Sequence, residues 1–166
     1  MNKKRYEKTV RFFSQNKTAY NLLKIIYKFL PFVMFVAYPA LLIYKFFTAG
    51  FGEKTLRLTL VPLGVLIFVT LLRKLINSER PYERYGTPSV FNKQTIGESM
   101  PSRHTASAFV IAMAFIYVNL PLGIIGLAVA LLIALSRIFA GAHFIRDVLI
   151  GAGISILAGI IFLYIV

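Results

Sequence analysis

The sequence predicts an all-α integral membrane protein, a helical bundle of about five transmembrane helices with an N-terminal amphipathic interfacial helix. Hydrophobic residues make up 58% of the 166 residues and the mean hydropathy is +0.73, whereas soluble domains are roughly 45–50% apolar. Four long stretches also carry no charged side chain. One small soluble core cannot bury this much apolar surface, so the prediction is that a membrane covers it.

Residues 1–17 form a basic segment with a helical pattern. Tyr6, Val10 and Phe13 recur at i, i+4 and i+7, and lysines and arginines occupy the other faces. This pattern is typical of an amphipathic helix that lies on anionic lipid headgroups, with a solvated tail as the alternative. The chain is therefore predicted to divide into an interfacial segment, residues 1–17, and a single transmembrane domain, residues 18–166.

The membrane crossings follow from the uncharged stretches, which are 29–44, 58–72, 105–136 and 148–166. A hydrocarbon core of ~30 Å needs about 20 helical residues. The first two stretches are shorter, but the lysines and arginines that flank them can reach the interface. The third is too long for one crossing and contains Asn119-Leu120-Pro121, where proline favours the start of a new helix. The predicted crossings are 22–47, 55–77, 103–119, 121–141 and 144–165.

The charge balance is strongly basic, with 19 lysines and arginines against 6 acidic residues and a formal net charge of +13. Such an excess indicates nucleic acid or an anionic membrane surface as the partner, and the apolar composition favours lipid headgroups over nucleic acid. Cysteine is absent, which excludes disulfides, thiolate metal sites and cysteine nucleophiles. The oligomeric state stays open.

Residue types that carry chemistry are scarce in this chain. It has two histidines, His104 and His143, and one aspartate, Asp147. His143 and Asp147 are spaced i, i+4, which places them on one face of a helix. A carboxylate that binds one ring nitrogen fixes the tautomer and leaves the other nitrogen free as acid, base or nucleophile. The alternative is a structural His–Asp pair at the end of a helix.

Alternation of the predicted crossings provides an independent indication of a site. Because successive crossings alternate in direction, one membrane face holds four helix ends: the ends of crossings two and four and the starts of crossings three and five. Arginines around two histidines suit an oxyanion such as phosphate, and ionisable groups within a membrane protein indicate a functional site. The residues that meet on this face are Arg73, Arg80, His104, Arg137, His143 and Asp147.

The spacing of these residues resembles a known family. Ser136-Arg137, five residues, His143, three residues and Asp147 is similar to the third signature of the type 2 phosphatidic acid phosphatases and their haloperoxidase relatives. The resemblance implies that His143 is the nucleophile, that Asp147 orients its ring, and that Arg137 binds phosphate. Ser136 is a further candidate ligand, unless its hydroxyl only binds its own helix.

Two further segments resemble the remaining signatures, in the family's order. Pro101-Ser102-Arg103-His104 is similar to the second signature, usually Pro-Ser-Gly-His, with Arg103 in place of glycine. Arg80-Pro81 is similar to the end of the first, normally lysine, six residues, then Arg-Pro. That spacing leaves Arg73 at the lysine position, with Lys74 one step later.

The resemblance also implies roles for these residues. His104 would be the general acid that protonates the leaving oxygen and then the base that activates water. The implied phosphate ligands are Arg73 or Lys74, Arg80, Ser102, Arg103 and Arg137. Three other basic residues are predicted to be solvated or lipid-facing rather than ligands, namely Arg84, Lys93 and Arg146.

The function predicted from these features is a metal-independent membrane lipid phosphatase with no cofactor, acting through a phosphohistidine. The chain is similar to small bacterial enzymes that act on undecaprenyl pyrophosphate or phosphatidylglycerophosphate, and phosphatidic acid is a third candidate substrate. Two alternatives remain: a lipid phosphotransferase that uses the same site, and a non-enzymatic basic membrane anchor.

The charge distribution and the family resemblance predict opposite sides of the membrane for the site. Two crossings separate the N-terminus from the site, so both lie on one side of the membrane. Eight lysines and arginines precede residue 29, against Glu7 alone, and the positive-inside rule would place that end in the cytoplasm. The resemblance instead implies the outer face of the plasma membrane, and an extracytoplasmic site is the prediction.

Overall fold

The computed structural model describes residues 1–165, and its regular elements in that range are all helices. Four of them are long and apolar enough to cross a membrane: α2, α3, α6, and α7 with its continuation. A fifth apolar helix, α5, has 16 residues and a length of about 24 Å. The helices are α1 Lys3–Gln15, α2 Lys17–Ala49, α3 Glu53–Ile76, α4 Pro81–Tyr85, α5 Arg103–Val118, α6 Leu120–Phe139 and α7 Ile145–Gly159, continued by a π-helical segment, Ile160–Ile165.

The helix boundaries confirm the all-α membrane bundle and its predicted break. Asn119 separates α5 from α6, and its side chain accepts a hydrogen bond of 3.0 Å from the Leu122 N–H. Pro121 lies in the first turn of α6, where its missing N–H costs no helical hydrogen bond. Helix α2 is longer than predicted because Asn16 caps its first turn, accepting 2.9 Å from the Ala19 N–H.

Helix α5 lies at the centre of the bundle and contacts α2, α3, α6 and α7. Close approach is possible because the helix interfaces are lined by small residues, which is how membrane helices usually associate. A methyl group added at Gly126 of α6 would lie 3.4 Å from Ala112 of α5. One added at Gly159 of α7 would lie 2.8 Å from the Met113 side chain. The central position of α5 fixes its first residues relative to α7.

Helix α1 is present as predicted, but its apolar face packs on the protein. Tyr6 is fully buried and Val10 nearly so, whereas the lysines and arginines of this helix are exposed. The Tyr6 hydroxyl donates a 3.0 Å hydrogen bond to the Thr87 carbonyl, and its ring covers Gly141. The apolar face is therefore covered by protein, and the basic face is the one left exposed. The N-terminus, the loop 86–102 and the connection 140–144 meet at one end of the bundle.

Candidate active site

The connection between α6 and α7 carries His143. It reverses the chain within a few residues, because Gly141 adopts a left-handed conformation with φ +72°. The N–H groups of Ala142 and His143 both donate to the Arg137 carbonyl, at 3.0 and 3.3 Å. A side chain at Gly141 would also meet the Tyr6 ring at 2.8 Å. The turn and the α1 contact together fix the position of His143.

His143 and Asp147 are buried side by side, and a third residue connects them. His143 Nδ1 lies 3.7 Å from Asp147 Oδ2, which is longer than a hydrogen bond. The Ser99 hydroxyl donates to Asp147 Oδ2 at 2.5 Å and lies 3.4 Å from His143 Nδ1. Because the single hydroxyl proton goes to the carboxylate, the Ser99 oxygen is free to accept from Nδ1–H. This tautomer leaves Nε2 unprotonated, as a nucleophile requires.

Sequence reasoning missed Ser99. It is fully buried, yet nothing in its residue type or spacing separates it from the other serines of the polar loop.

Asp147 has two further neighbours: the Phe144 N–H donates to Oδ2 at 2.9 Å, and Arg146 Nε lies 3.5 Å from Oδ1. Arg146 is exposed, as is Arg84, in agreement with the prediction for both.

Burial controls the protonation of His143. The side chain is 1% exposed, and this desolvation lowers the pKa of His143 to about 4, although the neighbouring Asp147 carboxylate opposes the shift. The imidazole is therefore neutral at pH 7 and can attack an electrophile.

Arg80 is almost fully buried, and three of its N–H groups bind carbonyl oxygens. Nε donates to Gly97 at 2.9 Å, Nη1 to Ala142 at 3.3 Å and Nη2 to Glu98 at 3.3 Å. A guanidinium has five N–H donors, so part of its capacity remains for a ligand. Arg80 thereby ties the loop before Ser99 to the residue that precedes His143.

Of the two candidates at the first-signature position, the structure brings Arg73 inward. Arg73 is buried, and its Nη2 donates to the Glu98 carbonyl at 2.5 Å. Lys74 is exposed and does not join the cluster. The same loop is also held by Glu83, whose carboxylate accepts the Gly97 N–H at 3.0 Å, and by Asn77, whose side chain accepts the Glu98 N–H at 3.2 Å.

The start of α5 is joined directly to α7. The Ser102 N–H donates to the Asp147 carbonyl at 2.8 Å, and the buried Ser102 hydroxyl accepts from Thr105 at 3.0 Å. A Cβ at Gly151 would lie 2.8 Å from the Ser102 carbonyl, so glycine permits this contact. At this junction His104 is half-buried and Arg103 is exposed.

Arg137 is buried but incompletely satisfied. Its Nη2 donates to the Tyr27 carbonyl at 2.8 Å, and its guanidinium carbon lies 3.8 Å from the centre of the Tyr27 ring. Its Nε has no hydrogen-bond partner within residues 1–165, which indicates a donor available to a ligand. Ser136, in contrast, donates to the Ile133 carbonyl of its own helix at 2.6 Å, which matches the alternative interpretation of that residue.

A cavity of about 610 Å³ opens beside His104 and Arg137, and Lys93 lines it. Lys93, which was predicted to be solvated or lipid-facing, is half-buried here because the loop 86–102 packs on α2 through Phe91. Burial, followed by the charges of Arg80 and Arg137, lowers the pKa of Lys93 to about 8.

A second cavity, of about 470 Å³, lies between α2 and α5 and shares Pro31 and His104 with the first. Its other walls are mainly apolar, with Phe32 and Ile111 among them. The described residues contain no group of three histidine, aspartate or glutamate side chains that could hold a metal ion.

Comparison with known proteins gives three findings. Residues 54–166 match the family model of the PAP2 superfamily. The crystal structure of LpxE from Aquifex aeolicus is 30% identical with a TM-score of 0.73, over 94% of this chain and 93% of that chain. A PAP2-type phosphatidylglycerolphosphate phosphatase from Bacillus subtilis is 20% identical and shares the fold, with a TM-score of 0.58 over 96% of this chain and 93% of that chain. A search of curated protein sequences gives no match.

Proposed function

The chain belongs to the PAP2 superfamily, and from this premise we propose that it is a membrane lipid phosphatase that hydrolyses a lipid phosphate or diphosphate through a phosphohistidine. The observation that carries the proposal is the buried arrangement of His143, Ser99 and Asp147, which leaves one imidazole nitrogen free to attack. Residues 18–166 form the phosphatase domain in this proposal, with residues 1–17 as an interfacial segment against anionic headgroups.

The proposed reaction has two steps. His143 Nε2 attacks phosphorus, a P–N bond forms as the P–O bond to the lipid breaks, and His104 donates a proton to the leaving oxygen. Asp147 stabilises the positive charge that develops on the ring. His104 then takes a proton from water, which attacks the phosphohistidine and releases inorganic phosphate. His143 ends in its original neutral form, and His104 ends in its original protonated form.

The phosphate oxygens are bound by arginines in this proposal. Arg137 offers its unpartnered Nε, Arg73 and Arg80 supply positive charge and their remaining N–H groups, and Ser102 and the backbone at the start of α5 add the positive end of a helix. Arg103 meets the substrate at the mouth. These charges neutralise the transition state, so no metal ion is assigned a role.

The lipid tail has a route to the phosphate. The apolar cavity between α2 and α5 adjoins His104, so a tail in the bilayer lies beside the group that protonates the leaving oxygen. Undecaprenyl pyrophosphate, phosphatidylglycerophosphate and phosphatidic acid all combine an apolar tail with a terminal phosphate. We place the enzyme in the plasma membrane with the site on the extracytoplasmic face.

Phosphate release from these three lipids, by purified protein in detergent with a chelator present, tests the proposal. We expect hydrolysis of at least one lipid by the wild type and none by His143→Ala that retains the wild-type thermal unfolding profile. Activity that requires an added divalent metal contradicts the mechanism. Transfer of phosphate to an added alcohol without release of inorganic phosphate would indicate a phosphotransferase instead. A folded protein inactive on all three would favour an anchor.

A further inference from the structure

The cavity beside His104 is unusually cationic. Lys24 and Lys28 of α2 and Lys93 of the loop 86–102 line it together with Arg137. Within residues 1–165, no carboxylate lines it. Four positive groups around one space repel one another, and an anion in the cavity would relieve this repulsion. The three lysines are not part of the reacting cluster described above.

Packing fixes the wall of the cavity that carries Lys93, whereas Lys24 and Lys28 of α2 are exposed. The Lys93 N–H donates to the Ser89 hydroxyl at 2.9 Å. The neighbouring Phe91 packs on Tyr20 and Tyr27, with ring centres 5.4 and 4.9 Å apart. Tyr27 in turn supports the Arg137 guanidinium. The loop that carries Lys93 is thereby held against α2, next to the residue that binds the reacting phosphate.

The position of His104 shows which end of the substrate faces the lysines. As the proposed acid, His104 marks the leaving oxygen, and it lines the same cavity as Lys93. Because His104 also lines the apolar cavity, a lipid whose tail lies there places the part of the leaving group next to this oxygen beside the cationic cavity. Phosphatidic acid leaves as an uncharged diacylglycerol. The leaving group of a lipid diphosphate is a lipid monophosphate, and the leaving group of phosphatidylglycerophosphate keeps its phosphodiester. Both leaving groups therefore carry an anion.

We propose that Lys93, with Lys24 and Lys28, forms a second anion-binding subsite for a phosphate that stays on the leaving lipid. The inference rests on the proposed function and deepens it, because it selects lipids with a retained phosphate over lipids without one. In the first step the bond between the terminal phosphorus and the leaving oxygen breaks as the bond to His143 forms. His104 protonates that oxygen, and the lysines hold the retained phosphate.

A matched series of dioleoyl lipids tests the subsite. Diacylglycerol pyrophosphate carries the retained phosphate directly, phosphatidylglycerophosphate carries it three carbons away, and phosphatidic acid lacks it. We expect Lys93→Gln to lower kcat/KM for the pyrophosphate roughly tenfold, as for one lost charge-assisted hydrogen bond, and for phosphatidic acid far less. The double variant Lys24→Gln/Lys28→Gln should likewise lose more kcat/KM for the pyrophosphate than for phosphatidic acid. If the loss for phosphatidylglycerophosphate equals the loss for the pyrophosphate, a retained phosphate three carbons away is enough for the subsite. If it equals the small loss for phosphatidic acid, the retained phosphate must be adjacent to the reacting one.

The control is Lys54→Gln, an exposed lysine at the opposite end of the bundle, which should leave all three substrates unchanged. Equal losses on all three lipids in Lys93→Gln contradict the subsite but not the phosphatase. Inorganic pyrophosphate and orthophosphate provide a readout of binding that does not depend on lipid hydrolysis. Pyrophosphate should raise the thermal unfolding temperature of the wild type more than orthophosphate, and Lys93→Gln should remove the difference. No such difference in the wild type overturns the subsite, and a difference in a protein inactive on all lipids supports the subsite while contradicting the phosphatase.

Discussion

The Ser99 hydroxyl donates a hydrogen bond of 2.5 Å to Asp147 Oδ2. The same oxygen lies 3.4 Å from the nucleophile candidate, His143, so the carboxylate acts on the imidazole through a hydroxyl as well as through its charge. Both side chains of the pair are fully buried, where hydrogen bonds are electrostatically stronger than in water. Ser99 is therefore a positioning residue for the tautomer of His143.

Ser99→Ala should lower kcat about 10- to 100-fold, the effect of one lost hydrogen bond to a charged group, with little change in KM. The reason is that the variant loses the acceptor for Nδ1–H but retains the phosphate ligands. Ser99→Thr keeps the hydroxyl and should restore most of the rate. Steady-state kinetics on the preferred lipid measure both. A rise in KM with unchanged kcat, or no rescue by threonine in a stable protein, would contradict this role.

Gly141→Ala should disturb the site from a distance. The residue has φ +72°, which costs a side-chain-bearing residue about 1–2 kcal/mol, and the added methyl would lie 2.8 Å from the Tyr6 ring. We expect a lower unfolding temperature and at least a tenfold loss of kcat, because His143 follows two residues later. Gly153→Ala is the control, since its methyl meets nothing within 4 Å. Equal behaviour of the two variants would refute the proposed coupling.

How much the sequence predicts depends on how far each feature relies on tertiary contacts. The crossings and the break at Asn119 follow from hydropathy, and the pairing of His143 with Asp147 follows from their i, i+4 spacing. Ser99 and Lys93 were missed because serine and lysine are common in polar loops, and only the path of the loop makes these two special. The contacts of Arg80 with three carbonyls and the docking of Tyr6 likewise depend on loop conformation, which no periodicity encodes.

The pH profile should report Lys93. Its pKa is lowered to about 8 by burial and by nearby arginines, so the charge that attracts a retained phosphate is present below pH 8 and is lost as the pH rises through 8. Since kcat/KM reports ionisations of the free enzyme, this constant should fall above pH 8 for diacylglycerol pyrophosphate. In Lys93→Gln this alkaline decrease should be absent. An identical decrease in both proteins would assign it to another group.

The site should face outward in intact cells. The chain contains no cysteine, so a single introduced cysteine can be labelled without background. Ile96 is 83% exposed in the loop beside the site, and Phe51 is 74% exposed in the connection at the opposite end of the bundle. An impermeant thiol reagent should label Ile96→Cys in intact cells and Phe51→Cys only after lysis. The reverse pattern would place the site in the cytoplasm.

The phosphohistidine should be trapped on His143 when its hydrolysis is slowed. For a diphosphate substrate, His104→Ala should still form the intermediate, because a phosphate leaving group needs little protonation, but it loses the base that activates water. Radiolabelled substrate and a rapid alkaline quench should then show acid-labile, base-stable phosphoprotein. His143→Ala should show none, and Asp147→Asn should lose on the order of 10⁴ in turnover, by analogy with the serine-protease triad. Label retained in His143→Ala, or base-sensitive label, would exclude this intermediate.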